Sequence, residues 1–503
     1  METPHFKRAL FLLIDGARDD VMVRLIESGE LPNLKRFVLD PGSYRTAISV
    51  FPSTTGPAHL PFLTGCTPGS CNVPGIRWFD RSNPDRFTHF RQCRSYVGPG
   101  SLYLDTDIGE EIPTIFQYFE RPAAVFSVLN RGIRSRRRRA VMDKWRAWLY
   151  GHYTGNWQAV DAAAWRYAHQ AAEREWDFLF VLLPAVDELT HLSHPFSDPV
   201  LEAYREIDRS FGRFVNQLAR RGILDDTLFV VSSDHGLTAT HTHFELFDFL
   251  DRQGHRTLYY PKILRNNVSA VSMISGNAMA NVYLRKGKDW RAGSPFDAAS
   301  EDQTAVGNLI SACLTEDAID LVIERGSRGC IRVHGRQGVA EIGGEETTIT
   351  YHVSGRDPFG YPAMPSQVTH DQSLAMTFDS LYPDAPYQLI RLFNSPRAGD
   401  LVISARKGYD LRLLHEKPEH LSSHGSLHRE HMQVPLLINH PIQRPFVRTV
   451  DVFPSMLELL GRKVPDAIDG RSFVSPDRTR ETAQGFSSQI DGSPTLAAAG
   501  GMP

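Results

Sequence analysis

Asp187-Glu188-Leu189-Thr190-His191 sets a carboxylate and an imidazole four residues apart, a spacing that puts both on one side of a helical turn. Asp234-His235-Gly236 offers the same two groups in succession, followed by a glycine that permits a sharp turn and close backbone approach. Asp15 precedes Gly16, and Ser422-Ser423-His424-Gly425 supplies a late loop histidine. Singly, each has a bland explanation, since an aspartate at a strand end caps a helix and a loop histidine is solvated. Jointly they match a specific need. A hydrolytic site with two divalent ions about 3.5 to 4 Å apart requires several carboxylates to offset charge and imidazoles to complete the ligation. Asp15, Asp187, His191, Asp234, His235 and His424 supply that inventory. The remaining component is a nucleophile, and Thr55 in Phe51-Pro-Ser-Thr-Thr55-Gly-Pro-Ala-His-Leu-Pro-Phe-Leu-Thr64-Gly65 is the candidate. A hydroxyl ahead of Gly-Pro can sit at a helix start, where free N–H groups favour an alkoxide and an attached phosphoryl group. Threonine is a poor nucleophile until its pKa is lowered.

The elements that must position these groups are readable as short apolar runs. Ala9 to Ile14, Phe178 to Leu183 and Leu228 to Val231 read as buried parallel strands. Asp15, Asp187 and Asp234 follow at or just past their carboxyl ends, where open α/β sheets bind ligands. Asp198-Pro199 reads as the N-cap and first position of a crossover helix, with Leu201, Tyr204, Phe211, Phe214 and Leu218 on its apolar face. From about residue 249 to 398 the pattern turns to alternating, glycine-punctuated stretches, among them Asn281 to Leu284, Cys330 to Val333 and Thr347 to Val353, which read as antiparallel strands. Parallel-type runs resume at Leu401 to Ser404 and Val434 to Ile438. The expectation is an α/β core with a mostly parallel central sheet over 1–248 and 399–476. An inserted, smaller α+β capping subdomain spans 249–398, and 477–503 forms a Ser/Gly/Ala/Thr-rich disordered tail.

The chain has 503 residues with 22% charged, 10% aromatic and a net charge of −3. Collagenous, coiled-coil and wholly disordered classes are excluded, and no global field draws the chain to nucleic acid. Five scattered cysteines without a C-x-x-C pair signal neither a disulfide framework nor a thiolate zinc site. The apolar run after Lys7-Arg8 is too short for a signal peptide, so a cytoplasmic location is expected.

The segment Thr55 to Gly65 resembles the nucleophile segment of the type I phosphodiesterase/nucleotide pyrophosphatase family, within the alkaline phosphatase superfamily. Asp15, Asp187-x-x-x-His191, Asp234-His235-Gly236 and His424-Gly425 follow in that family's order, and Thr449 to Gly461 resembles the superfamily's closing helix. The resemblance implies an alkaline-phosphatase-like core. It places Asp15, Thr55, Asp234 and His235 around one metal and Asp187, His191 and His424 around the other, His424 being preferred to His428 and His431 because the family's ligand precedes a glycine. It implies two divalent ions, most often zinc, although Asp/His sites also accept manganese or iron. It further implies cleavage of phosphodiester or pyrophosphate bonds through a threonyl-phosphoryl intermediate at Thr55. One position departs: the asparagine that nucleotide pyrophosphatases carry 21 residues after the threonine is here Ile76, which donates no hydrogen bond. Arg77 or Asn72 is the candidate for that phosphoryl contact, unless the metals and backbone suffice.

Arg134-Ser-Arg-Arg-Arg-Arg139 leads into Val141, Trp145, Trp148 and Leu149 at helical spacing. One reading is a solvated loop and a helix packed on the core. The other is a peripheral contact of 134–157 with an anionic membrane, which would suit a lipid-linked phosphodiester. The expected partner is a small phosphodiester, nucleotide or lipid-linked phosphodiester, with no binding of nucleic-acid duplex. Competing functions are a phosphomonoesterase or phosphomutase of the same superfamily, or a catalytically silent binding protein that keeps the fold.

Overall fold

The computed structural model describes residues 6–82, 92–134, 139–261, 264–285, 290, 301–326, 329–345, 347–412 and 418–474. The expected tail at 477–503 and Arg136 to Arg138 of the basic run lie outside them.

Among the described residues, seven strands build the central sheet: β1 (Arg8–Ile14), β2 (Ser43–Ile48), β3 (Pro122–Val125), β4 (Phe178–Leu183), β5 (Thr227–Ser232), β6 (Gln433–Ile438) and β7 (Val447–Arg448). Their spatial order is β7-β2-β6-β5-β1-β4-β3. β5, β1, β4 and β3 pair in parallel, as do β2 and β7. β4 and β5 are buried throughout and β1 is buried from Ala9 on, which is why they read as unbroken apolar runs rather than alternating ones. The amphipathic helix Asp198–Arg220 buries Leu201, Tyr204, Phe211, Phe214 and Leu218 in the same core. Its N-cap is Ser197, one residue earlier than expected, with Asp198 in the first turn.

Two strand expectations need correction. Val434 to Ile438 does complete the central sheet, but β6 runs antiparallel to both β5 and β2. Leu401–Ala405 lies in a second, nine-stranded sheet, where it pairs antiparallel with Met279–Leu284 and Ile319–Arg325. That strand is covered on both faces: Leu401, Ile403 and Ala405 pack in one apolar cluster with the helix Glu301–Thr315, while Val402 packs in another with Ala385–Phe393. Double-sided burial erases the alternation that usually marks an antiparallel strand. The expected strands around 281–284, 330–333 and 347–353 do form in this sheet. Its hairpin tip between Ala270–Ser275 and Met279–Leu284 reaches the loop of His424. The His424 N–H donates to the Gly276 carbonyl and its carbonyl accepts from Ala278 N–H, both at 2.9 Å. Among the described residues no helix is long and apolar enough to cross a membrane.

Candidate active site

Asp15 and Asp234 leave the carboxyl ends of the adjacent parallel strands β1 and β5, so the sheet itself brings them together. Asp187 and His191 occupy the first and last turns of the short helix Ala185–His191 that follows β4. The helix start is fixed by the buried Asp161 carboxylate, which accepts from Ala185 N–H at 3.1 Å. Close approach demands glycine at position 16: its φ is +70°, and a Cβ there would lie 2.7 Å from Asp187 Cβ and from Leu237 Cδ1. Gly276 (φ +64°) plays the same part on the far wall, where a Cβ would fall 2.6 Å from His424 Nδ1.

All seven expected residues converge. Ligand-capable atoms of Asp15, Asp234 and His235 lie within 4.8 Å of one another, and so do those of Asp187, His191 and His424. Thr55 Oγ1 donates to Asp15 Oδ1 at 3.2 Å and stands 3.1 Å from His235 Nε2. The two groups adjoin, for the His235 and His424 rings stack at 3.7 Å. Each of the three imidazoles has Nδ1 against a backbone carbonyl: His191 on Ser422 (2.8 Å), His424 on Ser53 (3.0 Å) and His235 on Gly236 (3.3 Å). Such bonds fix the tautomer and turn Nε2 inward as the donor for a metal.

The electrostatics ask for cations. Burial, then the charges of Asp234, Asp187 and Glu188, push the Asp15 carboxyl well up. Burial and the charges of Glu188 and Asp234 do the same to Asp187, whose Oδ1 is buried without a hydrogen-bond partner. Burial raises Glu188 to about 8. Asp234 is the exception: burial would raise it, but His235, His59 and the Gly16 N–H hold it well below the usual carboxylate range. Burial also lowers His191 to about 4 and His424 well below its ordinary value, so both are neutral, as ligands must be. An orphaned carboxylate oxygen, mutually destabilised carboxylates and three neutral imidazoles form a donor set that fits two divalent ions.

Several contributors escaped the sequence reading. His59 is fully buried with Nε2 3.1 Å from Asp234 Oδ2; its position one helical turn after Thr55 was the available signal. His420 stacks on His191 at 4.3 Å. Lys144, on the helix Arg139–Thr154, is lowered to about 8 by burial while the charge of Asp15 raises it, and the charge of His152 on the same helix acts on His420. This helix packs through Trp148, which lies edge-on to Phe126 at 5.1 Å and to Trp157 at 6.3 Å. Its outer side leaves Leu149, Tyr150 and Tyr153 exposed.

The two phosphoryl-contact candidates differ in their surroundings. Asn72 Oδ1 accepts from Ser395 Oγ at 2.7 Å and its carbonyl from Arg397. Arg77 donates to the Ile274 carbonyl at 3.2 Å, lies 5.3 Å over the Tyr260 ring, and its charge reaches His420. Ile76 packs against the main core.

Residues 9–427 match the sequence profile of the type I phosphodiesterase/nucleotide pyrophosphatase family. The chain belongs to that family. No curated protein sequence matches it significantly. This type I phosphodiesterase family member resembles phosphonoacetate hydrolase from Sinorhizobium meliloti (17% identity, TM-score 0.54, covering 91% of this chain and 96% of that one). It also resembles human ectonucleotide pyrophosphatase/phosphodiesterase 5 (13%, 0.55, 92% and 97%) and the alkaline phosphatase PafA (15%, 0.57, 94% and 100%). These likenesses establish the alkaline-phosphatase-like fold. Family and fold together make the protein a phosphoryl-transfer hydrolase of the alkaline phosphatase superfamily.

Proposed function

We propose that this family member hydrolyses phosphodiester or pyrophosphate bonds in small substrates, with Thr55 as the nucleophile between two divalent-cation sites. The observation that carries the reading is the placement of Thr55 Oγ1 against Asp15 and His235 at the edge of two adjoining three-residue clusters. Asp15, Thr55, Asp234 and His235 would hold one ion and Asp187, His191 and His424 the other. Zinc suits this nitrogen and carboxylate donor set, and manganese or iron is accepted by the same groups. Bound there, such ions supply Lewis acidity toward phosphoryl oxygens and a low-pKa environment for hydroxyls.

The chain's own part follows from the geometry. Asp15 accepts the Thr55 hydroxyl hydrogen bond and orients Oγ1 for in-line attack. His59 and Gly16 N–H fix Asp234, and the carbonyls of Ser53, Ser422 and Gly236 fix the three imidazoles. Attack at phosphorus forms the Thr55 Oγ1–P bond and breaks the bond to the leaving oxygen, the hydroxyl proton passing to solvent and the leaving oxygen taking one from it; water then cleaves the threonyl-phosphoryl ester, its oxygen staying on phosphorus and its proton restoring the hydroxyl.

Thr55→Ala is expected to lower turnover of bis(4-nitrophenyl) phosphate by at least a thousandfold while zinc content stays within a factor of two. Substantial remaining activity would remove Thr55 from the nucleophile role. A second reading, hydrolysis of phosphomonoesters, is supported by the fold shared with the alkaline phosphatase PafA. Comparing the mono- and bis-nitrophenyl esters separates the two. The exposed Leu149, Tyr150 and Tyr153 keep a lipid-linked diester within the proposal, and flotation with anionic liposomes tests it.

A further inference from the structure

The helices Trp157–Ala172 and Asp198–Arg220 enclose a cavity of about 310 Å³. Asp161, Trp165, Ala203, Ile207 and Ser210 are its buried lining, and Ala162, Arg166, Glu206 and Arg213 stand at its rim. Trp165 is braced against the Phe214 ring at 5.9 Å, and Ala203 and Ile207 add aliphatic wall. One buried group breaks this apolar pattern. Asp161 is 5% exposed, and the single hydrogen bond to its carboxyl is the one from Ala185 N–H to Oδ1, so Oδ2 meets no donor among the described residues. Burial with no opposing charge pushes this carboxyl well above the usual carboxylate range. The rim supplies no partner. Glu206 takes Arg209 at 2.8 Å and Arg213 at 2.6 Å, His169 faces the Gln217 side-chain carbonyl, and Arg166 is exposed to solvent.

A buried acceptor left without a donor costs free energy, and a charge-assisted hydrogen bond recovers it. An indole beside that acceptor favours a cation further. We propose that the cavity is a binding site for a small organic cation with an aromatic body, an aryl amine or amidine, whose charged end meets Asp161 and whose ring lies among Trp165, Ala203 and Ile207. A neutral compound of the same shape leaves Asp161 Oδ2 unpaired.

The same carboxyl ties the cavity to the metal clusters. The helix Ala185–His191 starts after Pro184 with no side-chain cap of its own, and Asp161 Oδ1 supplies the acceptor for its first N–H. A cation on Oδ2 keeps the carboxyl ionised, and an ionised acceptor holds that N–H more firmly. Asp187 and His191 ride on this helix, so an occupied cavity should tighten zinc binding at the Asp187–His191–His424 cluster. This linkage rests on the metal reading above; the binding site does not.

Calorimetric titration of the full chain, loaded with zinc, compares benzamidine with its neutral isostere benzamide. Benzamidine is expected to bind with a Kd below about 1 mM and at least tenfold more tightly than benzamide. Asp161→Asn, which keeps an acceptor for Ala185 N–H, should cut that difference to threefold or less. Ala162→Phe, which fills the mouth of the cavity from an exposed position, should abolish benzamidine binding. Should Asp161→Asn fail to fold, the Ala162 variant and the benzamide comparison decide. Equal binding of the two compounds, binding of neither, or benzamidine binding unchanged in Ala162→Phe would overturn the site. Zinc titration with saturating benzamidine reads the linkage, which is reciprocal: affinity at one of the two steps should rise threefold or more. Unchanged zinc affinities would overturn the linkage and leave the site standing. A chain that takes up no zinc would count against the metal reading and the linkage, while the benzamidine result still decides the site.

Discussion

His59→Leu isolates one link in the proposed site. In the native chain His59 Nε2 meets Asp234 Oδ2 at 3.1 Å with both side chains fully buried. A hydrogen bond to a charged group is worth about 1.5 to 3 kcal/mol, and every 1.4 kcal/mol is about tenfold in an equilibrium constant. Removing the imidazole leaves Asp234 with the Gly16 N–H at 3.3 Å and His235 at 3.4 Å, so the carboxylate is less well oriented and protonates more readily. Zinc affinity at the Asp15–Asp234–His235 cluster should fall about ten- to hundredfold, the usual cost of losing a partner that orients a ligand. The other cluster, held by Ser422 and Ser53 carbonyls, should keep its affinity. Titration of the metal-free protein with zinc against a chromophoric chelator resolves the two steps. His59→Gln, which restores a donor, should recover part of the loss. Two unchanged affinities would refute the reasoning, and so would equal weakening of both, which would mark a general loosening of the core.

Two other outcomes follow from the same geometry. Gly16→Ala places a Cβ 2.7 Å from Asp187 Cβ at a φ of +70°; beyond the backbone strain of about 1 to 3 kcal/mol it should separate Asp15 from Asp187, and calorimetry with zinc counting should show a lower Tm and substoichiometric metal. For pH, Glu188 raised to about 8 means the metal-free native state holds a proton that the unfolded chain releases near its ordinary value, so that contribution is present at low pH and is lost as pH rises through about 8. His191, lowered to about 4, opposes this only below the ordinary histidine range of about 6.5. The metal-free protein should therefore lose thermal stability between about pH 6.5 and 8 while the zinc form does not, and a metal-free Tm that rises across that window would contradict the assignment.

Much of the site was legible because the parallel sheet does the assembling. Asp15 and Asp234 sit just past the ends of paired strands, so their sequence distance of 219 residues collapses once β1 and β5 are recognised as neighbours. Asp187 and His191 were visible as a one-turn pair. The direction of Leu401–Ala405 was not, because apolar runs report burial on both faces and carry no information about pairing. His59, Lys144 and His420 were missed for another reason: each acts on a partner far along the chain, and a histidine inside an apolar segment or a lysine on a basic helix has the local pattern of ordinary packing or a solvated face. The contacts that define them belong to the tertiary structure alone.

Mass spectrometry of the zinc enzyme acid-quenched during turnover of a phosphodiester tests the central claim most directly. The account predicts a phosphoryl ester on the peptide containing Thr55, present in the native protein and missing from Thr55→Ala. Steady turnover with no adduct at Thr55, or an adduct on a different residue, would contradict it.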